Sequence, residues 1–237
     1  PVIVYDCLDD ISIHDSPVDE ARGQAARMYH EKLLKEADIV LASSQELHKL
    51  IKPIRPDVIY TPNGVDLAHF DPEHTQPASS LQRIGHPLIG YHGAVASWFD
   101  GQLVAEVARL RPQYQFAIIG PVSDENVDRA LKSQPNIHLL GMIPYEKLPP
   151  YIKQFDVGIM PFVISPLTNA VRPLKVLEYL AMGKPVVSTS LSELRDWPGV
   201  KLAEAPQEFA KAIDQALAAT PSPQELSEIQ NFLQAST

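Results

Sequence analysis

A single cysteine, Cys7, in 237 residues leaves no partner for an internal disulfide. It follows a short β-branched run and reads as a small buried hydrophobe in a reducing compartment. Neither CxxC nor HExxH occurs, which argues against a structural zinc site. Long apolar runs are missing too: none approaches the roughly 20 residues of a membrane span, and no signal peptide is visible. Basic residues are scarce beside acidic ones, 20 Lys and Arg against 29 Asp and Glu, for a formal net charge of −9. Nucleic-acid-binding proteins concentrate cations to neutralise phosphates, so this balance argues against a nucleic-acid partner. Any anionic ligand must then be met by a local pocket. An initiator methionine is lacking; the chain starts at Pro1, directly in a strand, and the expectation is a piece of a longer protein. What is present is a soluble globular composition, with enough residues for one large or two small domains.

In chain order, residues 2–5 read as a buried strand ending in the acidic cluster Asp6, Asp9 and Asp10. A helix over 19–37, a strand over 38–42, a helix from Ser43 or Ser44 to 51 and a strand over 57–60 follow. The breakers Thr61-Pro-Asn-Gly64 close this region. Residues 63–84 have no periodicity and read as a linker. A second series then runs strand 87–92, helix 99–111, strand 115–119, helix 124–133, strand 137–140, short helix 145–153, strand 156–160, helix 173–182, strand 185–188 and strand 200–202. Helices over about 206–218 and 223–234 end the chain. Strands alternating with helices predict an α/β fold with a doubly wound parallel sheet covered on both faces. Its ligand belongs outside the carboxyl ends of the strands, where Gly93, Gly120 and Gly141 each follow one. Each glycine taken singly is also explained by a tight turn.

The stretch 161–189 holds the most concentrated chemistry. Pro173 suits the first turn of a helix and Gly183 the position just past its end. At about 100° per residue, Leu174, Val176, Leu177, Leu180 and Ala181 share an apolar arc, with Lys175 and Glu178 on the other side. Arg172, Lys175, the helix N-terminus and the loop before it would make a phosphate site, and Glu178 could accept hydrogen bonds from sugar hydroxyls. The alternative is an ordinary Lys175–Glu178 surface pair with Arg172 solvated.

Several blocks resemble the C-terminal half of GT-B glycosyltransferases, the nucleotide-sugar-dependent group that includes glycogen synthase. They are Asn63-Gly64-Val65-Asp66, residues 136–141 (NIHLLG) and above all residues 175–189 (KVLEYLAMGKPVVST). Residues 91–100 (YHGAVASWFD), 144–148 and 5–10 further resemble teichuronic-acid and exopolysaccharide transferases. The resemblance implies two Rossmann-like domains, the first truncated and the second complete. It assigns 1–62 to the end of the acceptor domain, 63–84 to the linker, 85–220 to the nucleotide-sugar-binding domain and 221–237 to a C-terminal helix.

By the same resemblance Lys175 contacts the donor diphosphate, Glu178 the ribose hydroxyls, and the backbone of Met142 and Ile143 the base. Arg172 and the loop Thr168-Asn169-Ala170 lie against the phosphates and donor sugar, and Gly93 lets the diphosphate approach. The implied activity is a retaining, metal-independent hexosyltransferase. It moves a sugar from a UDP-, GDP- or dTDP-linked donor to a glycan or lipid-linked acceptor in bacterial cell-surface polysaccharide synthesis. No cofactor is implied beyond the nucleotide sugar as co-substrate. The expected place is the cytoplasm or the inner face of the membrane, with peripheral association through the missing N-terminal part, and this fragment alone is expected to be inactive.

Two departures stand out: Ala170 occupies the first position of the family's paired-glutamate motif, and Ser97 to Asp100 replace the usual Arg and Lys after the first glycine loop. Asp10, at a strand end, is a candidate contact to acceptor or donor sugar, with a cap or turn role as the alternative; the Asp9-Asp10 pair also invites a metal reading. His14 and His92 lie near strand ends, as polar contacts or as structural residues. A nucleotide-sugar epimerase of the same fold and a non-catalytic nucleotide-sugar-binding module are the rival functions.

Overall fold

A computed structural model describes residues 1–9 and 20–237. The chain divides into two compact units, 1–63 with 164–173 and 64–163 with 174–237.

In the first unit β1 (Val4–Cys7), β2 (Ile39–Ala42) and β3 (Ile59–Tyr60) pair in parallel in that order. Helices α1 (Glu20–Glu36) and α2 (Gln45–Ile51) connect them. Ser44 caps α2, its hydroxyl accepting the Leu47 N–H at 3.1 Å. Cys7, Leu34, Val40, Ala42, Leu47 and Ile51 form this unit's core. The opening strand differs from its reading as a buried run. It begins two residues later, and Val4 is 52 % exposed while Cys7 is buried. The reason is position: among the described residues β1 is the edge of its sheet, paired with β2 alone.

The second unit holds β4 (Leu88–His92), β5 (Gln115–Ile119), β6 (Ile137–Gly141), β7 (Val157–Met160), β8 (Val186–Ser188) and β9 (Val200–Leu202). They pair in parallel in the order β6-β5-β4-β7-β8-β9. Helices α3 (Gly101–Leu110), α4 (Glu125–Lys132), α5 (Pro149–Ile152), α7 (Leu174–Ala181), α8 (Pro206–Ala218) and α9 (Pro223–Gln234) belong to the same unit; α6 (Pro166–Asn169) lies in the first. Asp100 caps α3 and Asp124 caps α4, each accepting backbone N–H groups of the first turn. Bulky rings lie on strand glycines: a Cβ on Gly90 would enter the Phe155 ring, and one on Gly158 the Tyr179 ring.

Residues 63–84, read as a linker, are packed. Val65, Phe70 and Leu81 are buried in the second unit's core, and the Val65 N–H donates to the Ser236 carbonyl at 2.8 Å. Lys153 Nζ donates to the Pro72 and Thr75 carbonyls. Turn chemistry hides such isolated anchors, because three apolar residues without a period carry no helix or strand signal. Likewise 164–173 departs from a contiguous second domain and groups with the first unit, where Ala170 is wholly buried.

Both tryptophans, Trp98 and Trp197, lie in the second unit, so their fluorescence follows that unit's unfolding. Gly120 has a φ of 137°, and a Cβ there would strike the Gly93 carbonyl; Gly183 has a φ of 67° with nothing within 4 Å of its would-be Cβ. Gly120→Ala should therefore cost on the order of 3 kcal/mol in urea unfolding, against about 1 kcal/mol for Gly183→Ala. Equal losses would contradict the backbone clash.

Candidate functional site

In the second sheet the strand order reverses between β4 and β7, the switch point where doubly wound sheets leave a crevice at the carboxyl edge. β4 ends in His92, and Gly93 follows it. The Gly93 N–H donates to the Ile119 carbonyl and the Gly120 N–H to the Gly141 carbonyl, both at 2.8 Å. Three neighbouring strand ends are thus laced together by backbone alone. Gly93 has a φ of 124°, and a Cβ there would overlap Lys175 Cε and come within 2.9 Å of its Nζ. The half-buried Lys175 side chain, from the first turn of α7, therefore lies directly over the Gly93 backbone, with its Nζ 6.0 Å from the Phe162 ring centroid.

Glu178, one turn further along α7, is buried, so it is no surface partner for Lys175. Its Oε2 lies 2.9 Å from His92 Nε2, with side chains 3 % and 5 % exposed. That approach is off the ring's N–H direction, leaving Nε2 a buried nitrogen without an aligned hydrogen bond. The rest of His92 is fixed: its backbone N–H donates to the Tyr179 hydroxyl at 2.9 Å, and its ring meets the Tyr179 ring edge-on at 5.1 Å. Burial pushes the His92 pKa below its ordinary value, the Glu178 carboxylate pulls it back in part, and the Lys175 charge lowers it further. The imidazole is neutral at neutral pH. Tyr145 also faces Glu178. Partial burial raises its hydroxyl pKa, and the Glu178 and Asp66 carboxylates add to the effect. Its ring stacks on His69 at 5.0 Å and meets Phe70 edge-on at 5.6 Å.

After β6, Met142 is 78 % exposed and Ile143 partly buried, so the backbone expected to meet a base is open to solvent at Met142. The remaining expected donor residues belong to the first unit. Thr168 is buried in a capping box with Ser165, and Asn169 is half-buried. Ala170 sits in that unit's core, its carbonyl accepting the Ser44 hydroxyl at 2.6 Å, and offers a ligand no surface. Arg172 is buried rather than solvated. Its Nε–H donates to the Asn63 carbonyl at 3.3 Å, and the Asn63 side-chain amide donates to the Arg172 carbonyl at 3.4 Å. The two cations drawn together from sequence thus belong to different units. Asp10 and His14 lie outside the described residues. Among the described residues no group of three His, Cys, Asp or Glu could hold a metal ion, and no helix is long and apolar enough to cross a membrane.

Comparison with protein families matches residues 86–219, more than half of the chain, to the family described as Glycosyl transferases group 1. The chain belongs to this family. A relative of the chain is TuaH of Bacillus subtilis (strain 168), a proposed teichuronic acid biosynthesis glycosyltransferase. It is 32 % identical over 200 residues, covering 80 % of this chain and 50 % of TuaH. The chain therefore spans about half the length of that curated relative. Among solved structures, Anabaena HepE with UDP matches at a TM-score of 0.73 and 16 % identity, covering 99 % of this chain and 68 % of HepE. WaaG, a glycosyltransferase involved in lipopolysaccharide biosynthesis, matches at 0.71 and 13 % identity, covering all of this chain and 70 % of WaaG. These likenesses show the fold, which is of GT-B type with parallel Rossmann-like sheets.

The sequence signal for this site is uneven. Lys175 and Glu178 stand out as charges on a helix bracketed by Pro173 and Gly183, whereas Tyr145 enters only as part of the 144–148 resemblance and a helix start, and His69 carries no signal.

The depressed His92 pKa has a definite sign. Between the folded-state value and the unfolded value of about 6.5, the unfolded chain binds more protons, so stability is full above pH 6.5 and falls as pH drops below it. In the 237-residue chain the stability advantage of wild type over His92→Phe should shrink between pH 7.5 and 5, read as the difference in melting temperature. A constant difference would show that His92 does not titrate in that way.

Proposed function

We propose that the second unit binds the nucleoside diphosphate sugar of a glycosyltransferase that builds a cell-surface polysaccharide. The observation that carries this reading is Lys175 lying over Gly93 at the switch point, with the Glu178 carboxylate one turn deeper on the same helix. A fold alone would not carry it, since doubly wound sheets serve many chemistries. Family membership supplies the reaction class and these residues supply its parts.

Transfer from a nucleotide sugar leaves negative charge on the departing diphosphate while the sugar carbon becomes cation-like. Lys175 and the N-terminal N–H groups of α7 would meet that charge, and the glycine at 93 would let the phosphates reach the backbone. Glu178 would accept from the ribose hydroxyls, and the backbone at Met142 and Ile143 would meet the base. UDP is the nucleotide favoured, because it occupies the HepE crystal structure. Retention at the sugar carbon, a glycan or lipid-linked acceptor and work at the cytoplasmic face of the membrane complete the proposal. The buried Ala170 leaves the donor-sugar contact to other residues, with Asn169 and Asp10 as candidates.

Thermal shift with UDP-, GDP- and dTDP-sugars should pick out one nucleotide, because a ligand that binds only the folded state raises its melting temperature. Lys175→Ala should weaken that nucleotide roughly 10- to 100-fold, as expected for loss of a charged hydrogen bond worth about 1.5–3 kcal/mol. Unchanged affinity would remove Lys175 from the site. The 237-residue chain should bind without transferring sugar, and the full-length protein should transfer; binding without turnover there would identify a binding module instead.

A further inference from the structure

We propose that His92 is a positioning residue for the donor: it holds the Glu178 carboxylate from the sheet side and so sets how that carboxylate meets a ribose. The proposal rests on the reading of Glu178 as the ribose acceptor. A carboxylate 3 % exposed needs hydrogen-bond donors around it, and the Oε2 of Glu178 has His92 Nε2 at 2.9 Å. His92 cannot swing away, since its backbone N–H is bonded to the Tyr179 hydroxyl and its ring is lodged against the Tyr179 ring. The ring is thus a fixed reference. The carboxylate is the adjustable partner: its Oε2 lies 2.9 Å from Nε2 without an aligned hydrogen bond.

The other groups facing Glu178 differ in kind. Tyr145 is 46 % exposed and can yield its place to a ligand hydroxyl. Lys175 lies over Gly93 and acts on His92 through space. Of these three, His92 is the one that is both buried and clamped. A neutral donor has a further consequence. It orients the carboxylate without pairing away its charge, so the second oxygen stays a strong acceptor for a ribose hydroxyl. An arginine or lysine in that place would form a buried ion pair and weaken that acceptor.

The test is calorimetric titration of the 237-residue chain with UDP and with 2′,3′-dideoxy-UDP, and with the guanosine pair alongside. Wild type should favour the ribonucleotide by about tenfold or more. Glu178→Met should erase that preference, and His92→Phe should reduce it at least fivefold while the dideoxy nucleotide binds as before. In the double variant His92→Phe should have no further effect on the preference. His92→Gln, whose amide nitrogen can reach the same carboxylate, should restore part of it, and His92→Asn, one carbon shorter, should not. If His92→Phe fails to fold, the contrast between Gln and Asn decides. A His92→Phe chain that loses affinity for both nucleotides equally would make His92 merely structural and overturn the proposal. A preference that survives Glu178→Met, or a chain that binds neither nucleotide pair, would instead bring down the reading of Glu178 itself.

Discussion

A carboxylate on the second turn of α7, taken almost wholly out of water, is the constraint to which its surroundings answer. Removing such a charge from solvent costs several kcal/mol, and it persists only where donors and nearby positive charge offset the loss. The sheet provides them with little freedom to spare. β4 brings His92 to 2.9 Å from Glu178, and Tyr179 clamps His92 by backbone and ring together. Tyr179 in turn reaches that place because β7 carries Gly158, where a Cβ would enter its ring. A missing side chain in one strand thus lets an aromatic ring sit on the sheet, and that ring fixes the histidine that borders the acid.

The same economy of side chains governs the strand ends. Gly93, Gly120 and Gly141 all have positive φ, and the hydrogen bonds from Gly93 to Ile119 and from Gly120 to Gly141 draw three strand ends together. Any Cβ at Gly93 would collide with Lys175, so the cation and the bare backbone occupy adjoining space. A phosphate there would meet backbone and ammonium at once, which is the arrangement that helix N-termini and glycine loops offer to anions in general.

Much of this was legible because local rules and the fold agree. Pro173 and Gly183 bracketed α7 to within a residue, and the caps at Ser44, Asp100 and Asp124 sit where helix starts were expected. The burial of Glu178 was not legible. On the helix wheel it borders Leu174 and so lies at the margin of the apolar arc, where periodicity places neither core nor solvent. The signal that could have decided it lay elsewhere. Gly90 and Gly158 interrupt otherwise apolar strands, and a strand glycine often marks close approach by something bulky. Taken with a fully buried Tyr179, they imply that α7 is covered on more than its apolar arc. Residues 63–84 escaped for the opposite reason, since Val65, Phe70 and Leu81 are anchors without a period.

Arg172 and Lys175, three residues apart, answer to different parts of the molecule. Arg172 is tied to Asn63 by two hydrogen bonds within the first unit, while Lys175 is seated on Gly93 within the second. The chain passes from one unit to the other between Pro173 and Leu174. Lys175, Gly93 and Glu178 are held together within the second unit by one sheet and one helix. The proposed donor site therefore rests on Lys175 and Glu178, both of the second unit.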